Sequence, residues 1–203
     1  MTATWSTTTN TSYKLPTIST TVGKSTTTYT VSYNANGGSN APSQQNSTLT
    51  TTNTFSGWFS ASSGGTNYGG NGATVSTGST TVYAQAISTS TQNSITLSTK
   101  GNMTRADSST TGYTVTFNVN GGSSVSPTKS TATRTIAYSF NKWRQGSTSG
   151  TARDPGYTFT PSASTTFYAD WSTSIKSQGT VTVPSTGTRT GYDLIGFSTS
   201  STS

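Results

Sequence analysis

The chain has 203 residues, 27% hydrophobic, 10% aromatic and only 7% charged, with eleven Lys and Arg against four acidic residues for a net charge of +7. With no Cys and no His, disulfides, Cys/His zinc sites and both the Ser–His and Cys–His nucleophile pairs are excluded. Ser and Thr make up roughly two residues in five, as in a mucin-like stalk, but the aromatic residues fall in short alternating runs and supply the apolar surface that a disordered chain lacks.

The charges narrow the reading further. Lys and Arg are scattered singly, with no run of three, so a specific nucleic-acid partner is not expected. Weak attraction to an anionic polymer such as a cell-wall glycan remains compatible. All four acids are Asp, at positions 107, 154, 170 and 193, and only contact in the fold could pair any two. No apolar stretch reaches the length of a membrane span, so no membrane insertion is expected. The start, "MTATWSTTTN", lacks the basic and apolar regions of a signal peptide. Either such a segment lies outside this sequence or none is used.

Residues 1–28 open with "TATW" (Thr2–Trp5) and continue as a Ser/Thr-rich connector punctuated by Leu15 and Ile18. Residues 29–86 begin with "YTVSYN", where Tyr29, Val31 and Tyr33 alternate with Thr30, Ser32 and Asn34. That is the period of a half-buried strand. Asn36-Gly37-Gly38 follows, and Asn-Gly tolerates positive φ and favours tight turns between antiparallel strands. A phosphate-binding loop is the sharper reading, but no Gly-Lys-Ser/Thr follows and no long helix opens. "TNTFSGWFS" then carries Phe55 and Trp58, "SSGGTNYGGNG" is rich in Gly, and "STTVYAQA" (Ser79–Ala86) closes the stretch.

Residues 87–112 form a second connector, with Ile95 and Leu97 as its apolar points. Residues 113–171 then repeat the first stretch landmark by landmark. "YTVTFN" carries Tyr113, Val115 and Phe117 before Asn120-Gly121-Gly122. "AYSFNKWRQ" carries Phe140 and Trp143, "GSTSGTARDPG" is the Gly-rich part, and "STTFYADW" (Ser164–Trp171) closes it. Landmarks recurring in one order, 84 or 85 positions apart, are an internal repeat. "SYKLP", "SITLS" and "TVTVP" recur after each closing strand and read as additional strands. Helix is scarce where Thr, Ser, Asn and Gly dominate.

The order strand-NGG, then (G)Y-x-F-x-G-W, then T-x-Y-A-x-W resembles the Listeria–Bacteroides repeat, also called the internalin B-repeat. The resemblance covers about residues 29–86 and 113–171, and departs from the pattern at Ala86, where Trp is expected, and at Lys142, where Gly is usual. It implies a mostly β chain of tandem, small, β-grasp-like modules in an extended array, of the kind strung along bacterial surface proteins. It implies no catalytic residue and no cofactor. Within residues 172–203, "TGYDLIGFSTSS" matches the middle of a third copy, with Leu194 and Phe197 in the aromatic positions. "TATW" matches a closing strand. Two readings follow: a boundary through a longer array, or head-to-tail complementation in which Thr2, Ala3, Thr4 and Trp5 of one subunit complete the C-terminal module of the next.

The expected role is therefore non-enzymatic: an extracellular or cell-surface stalk, filament or adhesin segment, with further copies of itself and surface glycans as partners. The alternative is a phage virion fibre or capsid decoration protein that binds host glycans, which an intact Met1 without a signal peptide would suit. An enzyme ranks third. Trp58, Trp143 and Trp171 are expected to pack in the core. Tyr68 and Tyr157, in the Gly-rich stretches, are the candidates for exposed rings that stack on sugars.

Overall fold

A computed structural model describes residues 12–76 and 81–199, and among these there are fourteen strands and no helix. The first seven are β1 (Ser12–Lys14), β2 (Thr21–Asn34), β3 (Gln45–Phe59), β4 (Asn67–Gly69), β5 (Thr74–Ser76), β6 (Tyr83–Gln92) and β7 (Ile95–Thr96). Thr and aromatic residues suit a pleated, half-buried surface, which is why strand dominates. The remaining seven are β8 (Ser108–Thr116), β9 (Ser124–Val125), β10 (Lys129–Gln145), β11 (Thr151–Arg153), β12 (Thr158–Phe159), β13 (Thr165–Gln178) and β14 (Gly187–Thr188). The chain is all-β, in tandem repeats. The β-grasp detail finds no support, because the described residues supply no helix to pack across a sheet.

Two compact units form, and their limits cut across the repeat. The first takes the described residues up to Val31, together with Gln44–Thr96 and Thr158–Thr165. The second takes Ser32–Ser43, Leu97–Tyr157 and the described residues from Thr166 onward. The first Asn-Gly-Gly turn thus belongs to the same unit as the body of the second repeat.

In the first unit β3 is central. β2 runs antiparallel to it from Val31 opposite Gln45 to Thr21 opposite Thr54. β6 pairs with it from Leu49 opposite Gln92 to Phe59 opposite Tyr83. β4 joins at Trp58 and Phe59. Two small ladders, β1 with β5 and β7 with β12, tie the connectors down. Leu15, Val31, Val75 and Ile95 are buried. Ser47 is buried as well, its hydroxyl donating to the Asn93 carbonyl at 2.6 Å and accepting from the Gln92 side chain at 2.9 Å. Those two bonds offset the desolvation of a buried hydroxyl.

The second unit repeats this plan around β10. β8 pairs with it from Lys129 opposite Thr116 to Ile136 opposite Ser108. β13 pairs with it from Arg134 opposite Gln178 to Gln145 opposite Phe167, and β11 joins at Trp143–Gln145. The core is Leu97, Met103, Phe117, Val125, Ala132, Trp143, Phe167 and Ala169. β10 breaks register against β13 at Thr135/Ile136, and both central strands do so at a matching place, Phe55/Gly57 against β6 and Phe140/Lys142 against β13. Gly57 has a φ of 148° there. Lys142 stands at the same register break in β10, so the irregularity persists without the usual Gly.

Two of the three recurrent connector motifs form strands. "SYKLP" contains β1 and "SITLS" contains β7, whereas residues 180–184, "TVTVP", form none. The reason lies in the partners. β1 and β7 each pair with a strand that follows a Gly-rich stretch, β5 and β12, and no such strand follows "TVTVP" among the described residues.

The Asn-Gly turns have the expected backbone but a different role. Asn36 and Gly37 sit at φ 48° and 83°, Asn120 and Gly121 at 45° and 84°. The Gly38 amide donates to the Ala35 carbonyl at 3.1 Å and the Gly122 amide to the Val119 carbonyl at 2.9 Å. This is the geometry of a tight turn with two left-handed residues. It does not join two antiparallel strands directly, since the β2–β3 ladder already ends at Val31 and Gln45. Instead the chain leaving the turn bridges to the connector: Ser39 pairs with Thr104, and Ser123 donates its amide to the Thr188 carbonyl.

Candidate strand-acceptor groove

The first turn is filled by side chains of its own unit. The Asn34 carboxamide oxygen accepts the Asn36 amide at 2.8 Å, an Asx turn that sets the loop. The Asn36 side chain donates to the Ala169 carbonyl at 2.9 Å, and the Trp171 indole donates to the Ala35 carbonyl at 2.9 Å. Arg105 donates to the Asn36 carbonyl at 3.3 Å and lies 4.1 Å over the Tyr138 ring. Gly38 is tightly enclosed: a Cβ there would stand 2.6 Å from both the Thr104 carbonyl and Trp171 Cζ2. Only glycine fits.

Beneath the turn is an aromatic cluster. The Tyr33 ring lies 4.8 Å from Trp143 and 6.4 Å from Phe167, and Phe140 lies 5.0 Å from Trp143 and 6.0 Å from Trp171. The Trp143 indole donates to the Ser98 carbonyl at 2.8 Å. Trp143, Phe167 and Ala169 have no exposed surface. The alternation of β13 places Phe167, Ala169 and Trp171 on one face, and that face closes over the turn.

Among the described residues the second turn has the same parts except that face. Asn118 caps the Asn120 amide at 2.8 Å. Arg189 donates to the Asn120 carbonyl at 3.3 Å and lies 4.4 Å over the Tyr192 ring. Phe197 meets Phe117 at 5.4 Å, as Trp143 meets Tyr33. Where Ala169 and Trp171 would follow, there is an open groove of about 950 Å³ whose lining includes Val115, Phe117, Val119, Asn120, Leu194 and Phe197. Val115 is 40% exposed and Leu194 42%. Among the described residues β8 pairs in a ladder only with β10.

The residues singled out in the sequence fall as follows. Trp143 is fully buried, but Trp58 and Trp171 are half-buried, so the expectation of three core tryptophans holds for one. Trp58 nonetheless makes the same kind of anchor as Trp143, its indole donating to the Pro16 carbonyl at 3.1 Å. Its ring meets Phe55 at 5.6 Å, whereas Trp143 is packed by both Phe140 and Tyr33. Tyr68 is a half-buried residue of β4. Tyr157 is 39% exposed, with the Arg153 guanidinium 4.6 Å over its ring. Thr2, Ala3, Thr4 and Trp5 lie outside the described residues. Of the acids, Asp107 pairs with Lys176, and Asp170 with Arg144 at 3.2 Å. The Arg–Tyr pairs beside the turns went unnoticed in the sequence. The signal was there: Arg105 and Arg189 each follow the turn asparagine by 69 positions.

The family model of the Listeria-Bacteroides repeat domain matches residues 29–85 and 113–170. No curated protein and no solved structure matches the chain.

Proposed function

The chain belongs to the Listeria-Bacteroides repeat domain family, and from that premise we propose that it is a non-enzymatic structural or adhesive segment, a stalk, filament or adhesin part, displayed outside the cell. Repeats of this family occur typically in extracellular or surface proteins. No helix of the described residues is long and apolar enough to cross a membrane.

The observation that carries the reading is the exchange of segments between consecutive repeats. The first Asn-Gly-Gly turn is part of the second unit, and residues 158–165 of the second repeat are part of the first. Repeats built this way stabilise one another through neighbouring interfaces, which suits a part whose task is to carry length or load. Asp107 and Asp170 are each held in an ion pair, consistent with carboxylates that maintain a fold. Surface glycans and further copies of the chain are the partners this reading assigns.

Labelling the producing cells with an antibody to the chain tests it. Label on the outside of intact cells supports the proposal. Label confined to released virions selects a phage fibre or capsid decoration protein instead, and label found only inside the cell overturns both.

A further inference from the structure

We propose that Asn120-Gly121 is a site of spontaneous covalent modification. In the folded chain the Asn120 side chain closes on the next amide, loses ammonia and becomes aspartate or isoaspartate, while the other Asn-Gly pairs are protected. The inference stands on the geometry around these pairs and does not rest on the proposed function.

The chain spells Asn-Gly three times, at Asn36-Gly37, Asn71-Gly72 and Asn120-Gly121. The chemistry is local. The Gly amide nitrogen attacks the Asn Cγ and its proton passes to solvent. The bond from Cγ to Nδ2 breaks, and Nδ2 leaves as ammonia. Water then opens the resulting succinimide, at Cγ to give aspartate or at the backbone carbonyl carbon to give isoaspartate. Glycine favours the attack at all three sites, since no Cβ crowds the nitrogen. The nucleophiles are alike: among the described residues, none of the Gly37, Gly72 and Gly121 amides donates a hydrogen bond. A cationic side chain also stands beside each glycine. A Cβ built there would lie 3.4 Å from Arg105 Cζ at Gly37, 3.7 Å from Lys14 Cε at Gly72 and 3.8 Å from Arg189 Cζ at Gly121. Neither the dipeptide nor its neighbouring charge separates the three.

What separates them is the hold on the carboxamide that must turn toward the nitrogen. Asn71 is tied at both ends to Ile18. The Ile18 amide donates to Asn71 Oδ1 at 3.1 Å, and Asn71 Nδ2 donates to the Ile18 carbonyl at 2.8 Å. Asn36 Nδ2 donates to the Ala169 carbonyl at 2.9 Å, in a turn that the Trp171 indole also holds through Ala35. The bonds at Asn120 run through its main chain, the amide to Asn118 and the carbonyl from Arg189. Its carboxamide has no partner among the described residues and is free to rotate. Exposure alone does not decide, because Asn71 is exposed as Asn120 is. A held carboxamide reacts only from the small population in which its bonds have opened. Either product places a carboxylate beside Arg189. Isoaspartate also lengthens the main chain inside a turn closed by the Gly122 amide and the Val119 carbonyl, so the modification marks the age of the chain at that turn.

The test ages the full chain in mildly alkaline buffer, folded in one sample and unfolded in guanidinium chloride in another. Circular dichroism at each time point verifies that the first sample keeps its fold. Peptides taken over time are read by mass spectrometry with electron-transfer fragmentation, which assigns each converted Asn and separates aspartate from isoaspartate. In the folded sample Asn120 should convert about tenfold or more faster than Asn36 and Asn71, the factor expected from side-chain hydrogen bonds that must first open. In guanidinium chloride the three sites should convert at similar rates. A folded chain in which Asn120 converts no faster than the other two overturns the proposal. An order of rates that survives unfolding overturns it as well, because the difference would then come from neighbouring sequence and not from the fold.

Discussion

Trp171 and Ala35 are 136 positions apart in the chain, yet the indole of one donates to the carbonyl of the other at 2.9 Å. The bond joins the closing strand of the second repeat to the turn of the first, within one compact unit. Trp171→Phe keeps a ring in place and deletes the donor. The expected loss is about 1 kcal/mol of unfolding free energy, the net worth of a typical hydrogen bond. Urea titration of the two proteins measures it, and unchanged stability would show that water satisfies the Ala35 carbonyl equally well.

Arg105 couples the same turn to the connector by two different forces. It donates to the Asn36 carbonyl and stacks on Tyr138. Lysine keeps the charge but has no planar fork to serve both partners. Arg105→Lys should therefore cost about 1 kcal/mol, near the effect of Arg105→Ala rather than near wild type. Recovery of full stability by lysine would reduce the interaction to simple charge.

Gly37 has a φ of 83°, a region that β-branched residues resist. Gly37→Val should destabilise the second unit by about 1–3 kcal/mol. The site of the damage is the informative part. Although Gly37 lies in the first sequence repeat, the amides that lose hydrogen-exchange protection should be those of Leu97–Tyr157, because the turn belongs to their unit. Loss confined to β3 and β6 would contradict that assignment.

Alternation and turn chemistry made the strands and the left-handed turns legible in the sequence. Tyr29, Val31 and Tyr33 alternate because one face of β2 is covered, and Asn36-Gly37 is spelled that way because both residues need positive φ. The boundaries of the compact units were not legible. The repeat begins at Tyr29 and Tyr113, but Tyr33 packs on Trp143, a partner 110 positions away in the next repeat. No local pattern encodes such a pairing, since the same alternation would serve a self-contained module. The groove was legible only in outline, as a third copy carrying Leu194 and Phe197 without a closing strand. The Arg–Tyr pairs were missed because a lone Arg among scattered cations reads as a solvated charge.

The two central tryptophans occupy matching positions in their repeats, but the structure makes them unequal. Trp143 has no exposed surface and is packed by Phe140 from its own strand and by Tyr33 from the preceding repeat. Trp58 pairs with Phe55 and remains half-buried. Truncation removes apolar contact in proportion to what was buried, and leaves a cavity only where the surroundings are closed. Trp143→Ala should thus cost about 3–5 kcal/mol. Trp58→Ala should cost about half as much, because part of its ring already faces water. Each also leaves a backbone carbonyl, Ser98 or Pro16, without its indole donor. The Ser98 bond is partly buried and the Pro16 bond exposed, which widens the gap, since water replaces a lost donor only where it can reach. Tyr33→Ala separates this account from one in which each tryptophan serves its own repeat alone. It should destabilise the unit that contains Trp143 and increase the fluorescence quenching of that tryptophan by a water-soluble quencher. Equal losses for Trp58→Ala and Trp143→Ala, with no effect of Tyr33→Ala on quenching, would mean that the repeats fold as independent modules.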